Sequence, residues 1–355
     1  MYAEIITVTE NSAVIAFSTG CAGFVSWEIQ GLPEIRSIEA ADCGRLACDR
    51  LAPDTTYSSV FRTEKGESCS LSFHTLPKPE GKELDRIFLT ADWHISKHPE
   101  NRKGRCFIES ETLALETLFD AESLHPDVIL NAGDLTNKGI AEEYEAASGV
   151  LKHCKTRFFP VPGNHDYPER GLWEKYIGPR SFRLDLPGGP VLGIDTSDYL
   201  LHADDAARME AELDRSGKIT VLSHYQLFAA PEIDHAPDLH IHNASDFPSL
   251  FAKLAASPSI LWCGHQNICT ISRLGRTIQL NLPQTPQWPC GSLLIRRFSN
   301  GTYHTFQPIR SEVLRQWCRT AGNDAAAYYG ERQWTNTYRF RDYTRANFFL
   351  PEAEK

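Results

Sequence analysis

Between residues 86 and 267 the chain repeatedly runs through a short apolar stretch and stops on acidic, amide or imidazole side chains. Arg86-Ile87-Phe88-Leu89-Thr90-Ala91 ends at Asp92-Trp93-His94, and residues 127–132 end at Gly133-Asp134. Residues 157–161 lead into Gly163-Asn164-His165-Asp166, residues 219–223 end at His224, and residues 259–263 end at Gly264-His265-Gln266-Asn267. Continuous apolar runs of this kind mark strands buried on both faces. Between them lie stretches with apolar residues at helical spacing: Leu113, Leu118 and Phe119 within 108–124, then Tyr144, Ala147 and Leu151 within 141–154. Strands alternating with helices predict βαβ units. Such sheets bind ligands beyond the carboxyl ends of their strands, so the five polar clusters are expected to meet in one place.

The flanking segments read differently. Residues 1–77 carry short apolar-rich runs at 4–8, 13–17, 23–29, 57–62 and 69–73, separated by turn residues such as Glu10-Asn11-Ser12 and Lys65-Gly66-Glu67. Strands at this spacing predict an all-β sandwich. Leu51-Ala52-Pro53-Asp54-Thr55-Thr56-Tyr57 resembles the corner before a late strand of fibronectin type III-like domains. Pro77-Lys78-Pro79-Glu80-Gly81-Lys82-Glu83 reads as a linker. After residue 167 further strands are expected at 191–195, 268–272, 276–282, 292–297 and 302–307, with a helix at 247–255. The domains are therefore taken as 1–77, 84–310 and a C-terminal extension, 311–355. That extension opens with a helix at 311–321 capped by Ser311. Its aromatics, Tyr328 to Phe349, are expected to pack onto the rest of the protein.

Composition limits the function. A net charge of −10 disfavours long nucleic acid as substrate and leaves small phosphate compounds open. No apolar run approaches the length of a membrane span. The N-terminus does not read as a signal peptide. Ten cysteines scattered singly, without a CxxC pair, fit reduced thiols and a cytoplasmic protein, with a Cys43/Cys48 or Cys21/Cys69 bridge as the alternative.

Taken one at a time, the polar clusters are ordinary turns or buried histidines. Their order and common position at strand ends point to a metal site. Mn, Fe and Zn accept carboxylate oxygen and imidazole nitrogen together. A pair of such ions needs one bridging ligand and several terminal ones. Asp92 and His94, two residues apart at a strand end, can face the same way. Asp134 has two oxygens with which to bridge, and Asn164, His224 and His265 offer an amide oxygen and two imidazoles. His165, on a tight loop, can reach a substrate, with Asp166 holding its ring. Lys97, His98, Arg102, Lys103 and Arg105 form a basic cluster just after the first motif.

The ordered set Asp-x-His, Gly-Asp, Gly-Asn-His-Asp, isolated His and Gly-His-x-(ligand) resembles the calcineurin-like metallophosphoesterase superfamily over residues 86–308. The resemblance implies an α/β catalytic domain built as an αββα sandwich, preceded by an immunoglobulin/fibronectin-like sandwich. It implies two divalent ions, with Asp92 and His94 on the first, Asp134 bridging, and Asn164, His224 and His265 on the second. His165 would be the catalytic histidine, with Asp166 as its partner. A metal-activated hydroxide would attack a small phosphate ester, a phosphodiester or nucleotide, with a monoester as the alternative. The family's last motif usually ends in histidine. Here Asn267 takes that place, as a weaker ligand or leaving an open position filled by water. His240 or His242 could substitute from their loop, but both read first as solvent-facing loop histidines. An N-terminal fibronectin-like domain is similar to the arrangement in purple acid phosphatases. The position of their tyrosine ligand is Asn137 here, so no purple colour is expected. Gly-Asp-Leu-Thr with a following Glu-Glu-Tyr is more similar to the cyclic-nucleotide phosphodiesterase-like branch. The sandwich is expected either to pack near the site or to pair protomers into a homo-oligomer.

Overall fold

In a computed structural model of the 355-residue chain, residues 1–33, 35–168, 170–229, 240–266, 269–322, 324 and 346–352 are described. The chain begins with β1 (Tyr2–Val8), β2 (Ser12–Ser18), β3 (Gly23–Ile29), β4 (Ile35–Ala40), β5 (Cys43–Asp49), β6 (Thr56–Thr63) and β7 (Ser68–His74). They form two antiparallel sheets, β1-β2-β5 and β4-β3-β6-β7. β4 and β5 escape a search for apolar runs. β4 buries only Ala40, and β5 buries only Leu46 and Cys48. The Ala52 amide donates to the Tyr57 hydroxyl at 2.8 Å, and the Tyr57 ring stacks on Phe73.

β1 and β2 are apolar on both faces for a reason. Ile5, Ile15 and Phe17 fill the core of the sandwich, whereas Ile6 and Ala16 join the core of the following domain. Polar bonds reinforce the junction. The Asn347 side chain donates to Ile6 O and accepts from the Val8 and Phe306 amides. The buried Arg315 guanidinium meets Glu4 at 3.0 Å, Glu312 at 3.1 Å and the Pro289 carbonyl at 3.1 Å. The sandwich thus packs directly against the rest of the chain.

The second part contains β8 (Glu83–Thr90), α1 (Ser110–Ser123), β9 (Val128–Asn131), α2 (Ala141–Leu151), β10 (Phe158–Pro160) and α3 (Arg170–Tyr176). It continues with β11 (Phe182–Leu184), β12 (Val191–Gly193), α4 (Ala203–Ser216), β13 (Thr220–Ser223), α5 (Pro248–Ala256) and β14 (Ile260–Cys263). The last elements are β15 (Thr270–Leu274), β16 (Thr277–Asn281), β17 (Gly291–Phe298), β18 (Gly301–Pro308), α6 (Glu312–Thr320) and β19 (Phe348–Pro351). Two six-stranded sheets result, β10-β9-β8-β17-β18-β19 and β11-β12-β13-β14-β16-β15.

Alternating residues sort the layers, as the two-residue period of a strand requires. Ile87, Leu89, Val128, Leu130, Leu222 and Trp262 face the core between the sheets. Phe88 and Ile129 face Ala114, Leu118 and Tyr144 of α1 and α2. Val221 and Leu261 face Met209, Leu213 and Leu250 of α4 and α5. These are mixed α/β sheets with helices on their outer faces. Phe119, expected on the buried face of α1, is exposed.

β19 comes from beyond residue 310 and extends the first sheet along β18. α6 carries the expected Ser311 cap, whose hydroxyl accepts from the Leu314 amide. The aromatics between 328 and 345 lie outside the described residues, while Phe348 and Phe349 stack on His304 and Tyr303. All ten cysteines are free thiols. No described helix is long and apolar enough to cross a membrane.

Candidate metal centre

The polar clusters meet at the carboxyl ends of the central strands. Asp92 and His94 follow β8, Asp134 follows β9, Asn164 and His165 follow β10, His224 follows β13 and His265 follows β14. Asp92, His94, Asp134 and His224 are buried; Asn164, His165 and His265 are half-buried. Asp92, His94, Asp134 and His265 all hold positive φ, at 52°, 46°, 54° and 67°. The left-handed region is uncommon outside glycine, although aspartate and histidine enter it more readily than most residues, and strain of this kind gathers at functional sites. Gly133 lets the strands close up: a Cβ there would lie 2.5 Å from His224 Nδ1.

The separations are those of groups aimed at shared points. His94 Nε2 lies 3.8 Å from Asp92 Oδ1 and 3.7 Å from Asp134 Oδ2. His224 Nε2 lies 3.4 Å from Asp134 Oδ2 and 3.0 Å from Asn164 Oδ1. His265 Nδ1 lies 3.1 Å from the same Asn164 oxygen. Ligand atoms of Asp92, Asp134 and His224 fall within 4.8 Å of one another, and so do those of His94, Asp134 and His165. Asp134 is common to both groups. Oxygen and nitrogen ligands about 2.0–2.2 Å from one cation stand roughly 3–3.5 Å apart, close to this spacing.

Hydrogen bonding and charge favour a cation. Asp92 Oδ1 and both His94 nitrogens are buried without a hydrogen-bond partner, which is rare for buried polar atoms. His224 Nδ1 donates to Ala132 O at 2.8 Å, which turns Nε2 toward Asp134 and Asn164. Burial, and then the Asp134 charge, push the Asp92 carboxyl well above its usual range. Burial also acts on Asp134, but His224, His165 and the His165 amide outweigh it and hold that carboxyl low. Burial pushes His94 and His224 down, so both favour the neutral imidazole that a metal needs. Divalent cations would offset the repulsion between the two carboxylates. Carboxylate, imidazole and amide donors suit Mn, Fe or Zn.

Asp166 is placed differently from expectation. Its carboxylate accepts from the amides of Gly163, Leu135 and Thr136 and from the Thr136 hydroxyl. It therefore ties the loop after β9 to the loop after β10, rather than holding the His165 ring. His165 Nδ1 instead meets the Asn137 carbonyl at 2.5 Å, and the His165 amide donates to Asp134 Oδ1. Burial, then Asp134, raise Asp166 to about 7.

Sequence reasoning also missed Glu143. This buried carboxylate accepts from the amides of Lys97, Asn137 and Lys138 and fastens the same loops. A glutamate one helical turn before the buried Ala147 was the available signal. Of the basic cluster, only Arg105 is buried, and its charge acts on both Asp92 and His94. Lys97 pairs with Glu111 at the surface. Asn267 lies outside the described residues. His242 is exposed and stacks on Tyr199, and neither it nor His240 belongs to the two ligand groups.

A sequence profile of the calcineurin-like phosphoesterases matches residues 85–266, the segment that carries these loops. The chain belongs to that family. A protein of Fibrobacter succinogenes named "Probable cyclic nucleotide phosphodiesterase" is 27% identical over 119 residues, 31% of this phosphoesterase-family chain and 46% of the relative. This chain thus spans about half the length of that curated relative. The glycerophosphodiester phosphodiesterase GpdQ of Enterobacter lignolyticus is 27% identical over 221 residues, 54% of this chain and 76% of the other. The crystal structure of a dimetal phosphatase from Danio rerio superposes with a TM-score of 0.54 at 9% identity. It covers 63% of this chain and 96% of that one, which establishes a shared fold. The family and both relatives are named for phosphoester cleavage.

Proposed function

We propose that this protein is a dinuclear-metal phosphodiesterase acting on a small diester. The observation that carries the reading is the set of buried, unpartnered ligand atoms on Asp92 and His94, which converge with Asp134 and His224. Asp92 and His94 would hold one cation, Asn164, His224 and His265 the other, and Asp134 both. When bound, the cations would lower the pKa of water to give a nucleophile near neutral pH and would neutralise charge on the phosphoryl group.

The chain's own residues do the rest. Asp166 and Glu143 fix the loops that carry Asp134, Asn164 and His165. His165 is anchored through Nδ1 at the Asn137 carbonyl, which leaves Nε2 as its other proton-carrying nitrogen. A proton held there can pass to the leaving alkoxide or stabilise charge as it develops. Asp166 is a positioning residue in this scheme. The choice of diester over monoester draws on the two relatives named for phosphodiesterase activity.

The same reasoning extends to the N-terminal part. The three- and four-stranded sheets and the Tyr57 hydroxyl bond back to Ala52 support a fibronectin type III-like accessory domain.

The test pairs elemental analysis with hydrolysis of bis(p-nitrophenyl) phosphate and p-nitrophenyl phosphate. Two metals per chain and preferential diester turnover are expected. Two bound metals with no turnover of either ester would mark a metal-binding protein without catalysis. His165→Ala should lower kcat and keep both metals.

A further inference from the structure

The central sheets have a second opening, at the strand ends opposite the metal centre. A cavity of about 570 Å³ lies between them, where β8, β13, β14 and β16 begin and β19 ends. That volume falls within the roughly 300–1,000 Å³ of small-molecule sites. Ile260, Ile278 and Leu350 give it an apolar wall. Its charged lining is Lys218, Arg273, Arg276 and Arg297 against one carboxylate, Glu352.

Two of these cations are already neutralised. Arg297 holds Asp85 through Nε and Nη2 at 2.6 and 2.7 Å, and Lys218 pairs with Glu352. Arg273 and Arg276 form no ion pair or side-chain hydrogen bond among the described residues. Arg273 lies near the end of β15, and Arg276 sits in the tight turn between β15 and β16. That turn is fixed against α5: the Arg276 amide donates to Ala255 O at 2.8 Å, and a Cβ on Gly275 (φ +57°) would strike the Ala255 backbone. The two guanidinium groups therefore stand on a pre-set hairpin beside an apolar cavity, in a protein whose net charge is −10.

We propose that this cavity is a second ligand site, separate from the metal centre, for a small organic oxyanion with an apolar body. Arg273 and Arg276 grip the oxyanion and the apolar wall receives the body. The planar fork of arginine matches phosphate and carboxylate alike. The ligand head is therefore a phosphate monoester or a carboxylate. The proposal is independent of the reaction at the metal centre.

Hexyl phosphate and hexanoate share a tail and differ in the oxyanion. Titration calorimetry of the metal-loaded full chain with each compares the wild type, Arg273→Ala/Arg276→Ala and Arg276→Glu. Binding of at least one anion is expected, weakened about tenfold or more in the double variant and further by the charge reversal. Hydrolysis of bis(p-nitrophenyl) phosphate should be unchanged in both, since neither residue reaches the metals. The preferred probe identifies the head group. Equal affinity in wild type and double variant overturns the site. So does absence of binding to the wild type at millimolar concentration, or binding removed by Asp134→Ala but not by the arginine changes.

Discussion

Buried imidazoles occur in two settings among the described residues that follow the N-terminal sheets. His94 and His224 sit on loops past strand ends, against Asp92 and Asp134. His304 sits within β18, its ring parallel to Phe348 at 4.2 Å. Burial lowers the pKa of all three. Burial therefore does not mark a ligand. What separates the settings is convergence: in one, acidic and imidazole atoms from several loops point at common positions, with backbone strain at Asp92, His94 and Asp134. In the other, a lone ring completes an apolar layer. Both His304 nitrogens are also buried without a hydrogen-bond partner, as those of His94 are, so unsatisfied atoms alone do not mark a ligand either; their convergence with carboxylates does.

The contrast breaks most severely at the residue common to both ligand groups. Asp134→Ala should remove both metals and lower hydrolysis by more than about 100-fold, beyond the usual loss for a residue behind the ligands. Metal analysis and turnover on the same sample check it. Retention of two metals would refute the bridging role.

A chelator tests the same setting without mutation. Cations that bind only the folded chain stabilise it by about 2.7 kcal/mol at a hundredfold excess over Kd. Chelation should therefore lower the melting temperature of the wild type and barely move that of Asp134→Ala. Equal shifts in the two would show that the ions act elsewhere.

Asp166→Asn sharpens the comparison one layer out. The carboxylate accepts four hydrogen bonds, and an amide would turn an N–H toward donors. A stability loss of about 1.5–3 kcal/mol follows from the lost charge-assisted bonds. Hydrolysis should fall about 10–100-fold as the His165 loop loosens. Full activity in a destabilised variant would make Asp166 purely structural.

The sequence announced the strands that end at the metal centre, because both their faces are covered and they read as apolar runs. It was silent where polar residues occupy inward positions. In α4 the stripe Ala206, Met209 and Leu213 is narrow, and Asp205 and Glu212 are buried beside it through Arg208, Arg183 and Arg215. β4 is mostly exposed and offers no apolar run. The ligand candidates were legible because each follows an apolar run directly. The role of Asp166 was not, since adjacency to His165 in sequence said nothing about which way its carboxylate points.

His304 offers the mildest test, and its sign is fixed by burial. Desolvation lowers its pKa from 6.5 to about 3, with a Thr302 backbone contact opposing. Between those values the unfolded chain takes up a proton that the folded chain refuses, so the unfolded state binds more protons and stability falls as pH falls. The contribution is fully present above 6.5, and each pH unit below removes up to about 1.4 kcal/mol. His304→Phe keeps an aromatic ring against Phe348 and abolishes the titration. Urea unfolding at neutral pH and at about pH 5 should show the wild type losing more stability than the variant. Metal-loaded protein is the right sample, because cations on His94 and His224 suppress their protonation and leave His304 to dominate the difference. Parallel losses in wild type and variant would mean that the acid response comes from elsewhere, with the metal-centre imidazoles the first place to look.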